Sequence, residues 1–229
     1  LGLDMNEVTP YAERLKNRNN VGSGLYNGMI YPIRNYQVRG TIWYQGESNA
    51  GNTSRYAELV SSLITNWREL WNMPEMPFLL MQLPNFMQKH DKPTDSGWAR
   101  IREAQLQAFK TIPNTALAVT YDVGEWNDIH PLNKKDMAKR LFLGARKVVY
   151  GEKLVYAGPV YKDMKVEGNK IIITFTETGR GLMAKGGILK HFAIAGEDRQ
   201  FVWADAVIRG NKVIVSSKDV KQPVAVRYA

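Results

Sequence analysis

The chain has 229 residues, 44% of them apolar, with no cysteine and a formal net charge of +9. That length accommodates one large domain or two small ones, the absent thiols exclude disulfides and thiolate metal sites, and no apolar run reaches the ~20 residues of a membrane-spanning helix. The positive charge is spread along the chain without interleaved aromatic residues, so it describes a solvated basic surface rather than a nucleic-acid interface, with anionic substrates as the partner class it still allows.

Residues 1–24 show no strand pattern; Pro10 followed by Tyr11 to Leu15 predicts a short helix with proline in its first turn. The opening Leu1 in place of Met reads as a processed or excised piece, and no basic segment leads into an apolar block as in a signal peptide. Residues 25–33 predict a short helix ending near Pro32. Residues 38–44 predict a strand, because Val38, Ile42, Trp43 and Tyr44 are β-branched or aromatic with no helical period. Gly46 breaks it, a polar run follows, and residues 53–71 predict a helix on the spacing of Tyr56, Leu59, Val60, Leu63, Ile64 and Trp67.

Two further strand–helix pairs follow. Residues 78–83 and 115–121 predict buried strands, and residues 98–109 and 134–150 predict amphipathic helices. Alternation of this kind means βαβ units and a parallel sheet, although three strands are few for an independent α/β domain. After Gly151 the helical pattern stops. Residues 170–176, 191–194, 202–208, 212–216 and 224–228 predict short antiparallel strands, with Asn169 and Asn211 placed at turns that need positive φ. The division is therefore an α/β portion at 1–150 and a β-rich module at 151–229.

Polar residues collect where the first strand ends: Gln45, Gly46, Glu47, Ser48 and Asn49. In an open parallel sheet this carboxyl edge is where ligands bind. Of three histidines, His90 lies in a polar loop and His191 in the β-rich module, but His130 follows the third strand, with Glu125 and Asp128 just before it. A loop histidine with a nearby carboxylate suits a general base. Ser48, in Gly46-Glu47-Ser48-Asn49-Ala50, approaches a nucleophile elbow, with Asp128 and His130 in Ser…Asp…His order. No paired-histidine metal spacing or phosphate-binding glycine loop occurs, so neither metal nor cofactor is expected.

Three segments together, Leu25 to Pro32, Trp43-Tyr44-Gln45-Gly46-Glu47-Ser48-Asn49 and Asp128-Ile129-His130-Pro131, resemble the sialate O-acetylesterase family of the SGNH hydrolase superfamily. The resemblance implies part of a flavodoxin-like α/β/α sandwich, with the β-rich module after it. It also implies serine-dependent removal of acetyl groups from sialic acid or another acetylated sugar, in a periplasmic or secreted setting. In that family the nucleophile lies in a Gly-Gln-Ser-Asn block on the first strand; no such block occurs here, so the chain is expected to correspond to a C-terminal portion. On this reading His130 is the base, the Gln45-Gly46-Glu47 block with Asn49 serves the oxyanion or the acetyl group, and Ser48 is a turn residue. The family's acid usually stands three residues before the histidine, where this chain has Asn127; Asp128 is the nearest replacement, with Asp122, Glu125 and Glu47 as other candidates. The competing readings are a self-contained hydrolase using Ser48 and a glycan-binding module displaying Trp203 and Tyr161.

Overall fold

Strand β1 (Thr41–Trp43), strand β2 (Phe78–Met81) and strand β3 (Thr115–Ala118) pair in parallel, in that order. In this computed structural model, which describes residues 22–229, three helices cover the sheet: α1 (Tyr56–Leu70), α2 (Gly97–Thr111) and α3 (Lys134–Val148). The strand pleat decides which helix each side chain meets. Phe78, Leu80 and Leu117 point into a core with α1 and α2, whereas Leu79, Met81, Ala116 and Ala118 pack with Met137 and Leu141 of α3. This is the covered parallel sheet expected from strands apolar on both faces, one layer of an α/β/α sandwich. Phe78, Ile64 and Ile101 are fully buried at its centre, where truncating Phe78 to alanine is worth about 3–5 kcal/mol.

Local chemistry sets the helix starts. The Ser96 hydroxyl accepts the Trp98 amide at 3.2 Å to open α2, and Asn133 accepts from Asp136 at 3.2 Å to open α3. Gly144 lets α3 settle onto β3, since a Cβ there would stand 2.9 Å from the Ala116 methyl. The outer edge of β1 has no strand partner among the described residues, and Ile42 on it is 63% exposed.

The β-rich part forms two antiparallel sheets. One runs β4 (Val160–Glu167), β5 (Lys170–Thr176), β9 (Lys212–Ser216), β8 (Asp205–Arg209); the other runs β10 (Ala225–Tyr228), β6 (Phe192–Ala195), β7 (Val202–Trp203). Ile171, Ile173, Val213 and Val215 of the first face Phe192 and Ile194 of the second.

Several expectations need correction. The single strand predicted at 202–208 is two, because Ala204 turns its amide to the Phe192 carbonyl and the chain changes sheet there. Strand β4, which the sequence pattern did not show, is a polar, mostly exposed edge strand. The positive φ at the two hairpin turns falls on Gly168 and Gly210 rather than on the asparagines after them. Residues 26–33 form a π-helical turn followed by a 3-10 turn instead of one α-helix. The helix expected near Pro10 lies outside the described residues.

Candidate active site at the carboxyl edge of the parallel sheet

β1 stops at Trp43, one residue earlier than its apolar pattern suggests, and just beyond it the Gln45 carbonyl is claimed from outside the sheet. The Tyr56 hydroxyl from α1 donates to the Gln45 carbonyl at 2.8 Å, and the Gln105 side-chain amide from α2 donates to the same oxygen at 3.0 Å. The other end of Gln105 accepts the buried Leu83 amide at 2.9 Å, just past β2. One buried glutamine therefore ties the exit of β1 to the exit of β2. Gly46 follows at φ 148°, and a Cβ there would stand 3.0 Å from the Gln105 nitrogen, so both the dihedral and the space require glycine.

A 3-10 turn, Glu47–Asn49, completes the loop. The Glu47 carboxylate reaches back to the Gly46 amide at 2.9 Å, so that amide is already spent. Gln45 donates through Nε2 to Asn49 Oδ1 at 2.8 Å, and among the described residues the Asn49 Nδ2 hydrogens have no acceptor. Ser48 is exposed on the turn, and no hydrogen bond joins it to His130. Burial, reinforced by the Glu47 charge, pushes the neighbouring Tyr44 phenol up to about 12, so it stays neutral.

The second loop leaves β3 and is laced to the loop after β2. The fully buried Thr120 hydroxyl donates to the Gln82 carbonyl, Gly124 donates to the Asn85 side chain at 2.8 Å, and Met87 donates to the Trp126 carbonyl at 2.8 Å. His130 extends from this loop with its side chain 88% exposed. Its backbone amide donates to Asp128 Oδ1 at 2.7 Å, and its ring Nδ1 lies 3.8 Å from the same oxygen. That contact is an electrostatic neighbour rather than a hydrogen bond to the ring.

The other carboxylates have partners of their own. Asp122 is held bidentately by Arg140 at 2.5 and 2.7 Å, Glu125 accepts the Leu132 amide at 3.3 Å, and Glu47 holds Gly46. The Arg140 guanidinium keeps the Asp122 carboxyl below the ordinary carboxylate range. Among the described residues no cluster of three or more histidine or acidic side chains could hold a metal ion, and no helix is long and apolar enough to cross a membrane.

Gln105 and Tyr56 are the site residues that motif reading passed over. The signal for Gln105 was present: Trp98, Ile101, Gln105 and Ala108 are the buried stripe of α2, and an amide in that stripe has to serve a buried partner. Trp203 is 47% exposed and donates its ring N–H to the Asp91 carbonyl at 2.7 Å.

Comparison with known proteins finds relatives of this chain among the carbohydrate esterases. Residues 12–141 match the family described as carbohydrate esterase, sialic acid-specific acetylesterase. Sialate O-acetylesterases of Mus musculus and Homo sapiens are each 36% identical over 172 residues, covering 67% of this chain and 31% and 32% of theirs. A solved carbohydrate acetylesterase from Xanthomonas citri superposes with a TM-score of 0.85 at 44% identity, covering 89% of this chain and 47% of that one. The chain thus spans about a third of the length of the curated relatives it matches and about half of the solved one.

Proposed function

The chain belongs to the sialic acid-specific acetylesterase family of carbohydrate esterases, and on that premise we propose that it supplies the base and oxyanion side of a carbohydrate O-acetylesterase site. The observation that carries the reading is the Gln45–Asn49 pair at the carboxyl end of β1, held from behind by Gln105 and Tyr56. Gln45 fixes the Asn49 amide by occupying its oxygen, and the Nδ2 hydrogens that remain are the donors for the developing oxyanion. Gly46, whose N–H is engaged by Glu47, shapes the loop instead of donating.

In this mechanism a serine outside these 229 residues is the nucleophile. His130 takes its hydroxyl proton as the serine oxygen bonds to the acetyl carbonyl carbon, then returns that proton to the departing sugar oxygen. A water molecule, deprotonated by His130, next attacks the acetyl-serine; acetate leaves and serine recovers its proton. Asp128, at 3.8 Å from the ring, stabilises the imidazolium by charge while its hydrogen bond fixes the backbone of the loop. The substrate is an acetylated sugar, with sialic acid first among candidates, and the family setting implies action outside the cytoplasm.

Hydrolysis of an aryl acetate tests the assignment. The chain as given is expected to be folded and inert, and a longer protein carrying the upstream segment to be active. In that protein His130→Ala abolishes turnover, and Asn49→Ala slows it ~10²–10³-fold. Turnover by the 229-residue chain that disappears in Ser48→Ala would instead make Ser48 the nucleophile and overturn the proposal.

A further inference from the structure

A second cleft lies at the other end of α2. Gly97 at the start of that helix abuts the Ala50 carbonyl of the Gln45–Asn49 loop, and from Gly97 to Lys110 the helix runs about 20 Å. There, between α2 and the β4–β5 hairpin, is a cleft of about 320 Å³ whose walls include Lys110, Tyr156, Tyr161, Lys162, Thr176 and Glu177. The backbone around it is irregular at two points. The β4–β5 register slips between Tyr161 and Asp163, so Lys162 sits in a β-bulge of the edge strand, and Glu177 adopts φ 53° where β5 ends. Bulges re-aim side chains, and a left-handed glutamate is a conformation that L-residues take only at a cost.

The side chains so placed have complementary chemistry. Tyr161, 40% exposed, offers an aromatic face, and Tyr156, Thr176 and Glu177 offer a phenol, a hydroxyl and a carboxylate. Burial and the Glu177 charge both raise the Tyr156 phenol, which keeps it a donor. The Lys110 ammonium hangs over the Tyr161 ring at 5.3 Å and reaches the Tyr161 carbonyl only at 3.4 Å, a long bond that an incoming carboxylate would readily displace. Two lysines against one glutamate leave the cleft net positive, in keeping with the chain's overall charge of +9. An aromatic face for a pyranose, hydroxyl partners on one side and ammonium groups for a carboxylate describe a sugar acid.

We propose that this cleft is a binding subsite for an acidic glycan, remote from the carboxyl-edge site, with Tyr161 under the sugar ring and Lys110 and Lys162 on its carboxylate. The subsite requires no catalysis, so it stands or falls apart from the esterase assignment.

The test is titration of the isotope-labelled chain with 3′-sialyllactose and, separately, with lactose, following backbone amide signals. Sialyllactose is expected to shift residues 160–163 and 176–178 saturably, and lactose to shift them far less. Lys162→Glu, a substitution on an exposed edge strand, should weaken sialyllactose binding at least tenfold, and Tyr161→Ala at least fivefold, with amide spectra otherwise preserved. Raising salt to about 0.5 M should weaken it as well, because the charges are solvent-facing. Equal response to lactose, shifts confined to residues 45–49 and 128–132, or undiminished binding by Lys162→Glu would each overturn the subsite. None of those results bears on His130-dependent hydrolysis, which the aryl acetate assay reads separately.

Discussion

Replacing Gln105 by leucine removes a side chain that joins the exits of β1 and β2. Leucine matches the volume and suits the helix, so the loss is confined to two hydrogen bonds, to Gln45 O at 3.0 Å and from Leu83 N at 2.9 Å. Their costs differ. The Gln45 carbonyl keeps the Tyr56 hydroxyl at 2.8 Å, so it loses one bond of two, worth about 1 kcal/mol. The buried Leu83 amide has no second acceptor among the described residues, and an orphaned buried donor costs about 1–3 kcal/mol. The sum is ~2–4 kcal/mol, partly offset by the apolar gain of leucine, leaving about 2–3 kcal/mol and a fall in Tm of about 5–10 °C for a chain of this size. Urea unfolding of wild type, Gln105→Leu, Tyr56→Phe and the double variant measures it. The double variant should be worse than additive by ~1 kcal/mol, because only then does Gln45 O lose every partner. A Gln105→Leu cost below 0.5 kcal/mol, or strict additivity with Tyr56→Phe, would show that these bonds do not hold the loop (threshold from the usual scatter, about 0.5 kcal/mol).

Two other outcomes follow from particular contacts. Asp122→Asn removes the charge and one of the two oxygens that Arg140 meets, while the Val119 carbonyl stays; since the Asp122 side chain is 54% exposed, the loss at pH 7 should be only about 0.5–1 kcal/mol. The Asp122 carboxyl is depressed in the fold, so its contribution is present above the unfolded value near ~3.9 and disappears as pH falls through the folded one; wild type and variant should converge in urea titrations run at acid pH. Gly144→Ala places a methyl 2.9 Å from the Ala116 methyl and should cost about 1–3 kcal/mol despite its better helix propensity, and Ala116→Gly in the same chain should recover most of that by melting temperature.

The α/β alternation was legible because each helix carries its apolar stripe at helical spacing and each strand is apolar on both faces. Where reading failed, a partner distant in sequence decided the outcome. Residues 38–44 look like a seven-residue strand, yet only Thr41–Trp43 pair, and just past Tyr44 it is Tyr56 and Gln105 that take the Gln45 carbonyl. Ala204 is apolar and fits a continuous strand, but the Phe192 carbonyl receives its amide and the chain divides between sheets. β4 escaped notice because an exposed edge strand buries too little for its residues to alternate. In the site, the spacing of Gln45 and Asn49 was visible, but which of their atoms stays free depends on a hydrogen bond that no motif encodes.

The two sides of the edge site are held in different ways, and that difference bears on how it would act. On the Gln45–Asn49 side every backbone group that matters is fixed by a part-buried or buried side chain: Tyr56, Gln105 and Glu47 each fasten one. Donors that must meet a developing charge gain from such preorganisation, because they need not reorganise as the reaction proceeds. On the other side the His130 loop is also fastened, by Thr120, Asn85 and Asp128, but the ring itself is 88% exposed beside Asp128. In the proposed mechanism the base has to move a proton between several positions, toward serine, leaving group and water, and a ring whose neighbouring carboxylate oxygen lies 3.8 Å away can do so without breaking a strong hydrogen bond. On the proposed mechanism Gln105→Leu should impair turnover in the longer protein through its oxyanion side, whereas Asp128→Asn should slow it while leaving the Gln45–Asn49 geometry unchanged.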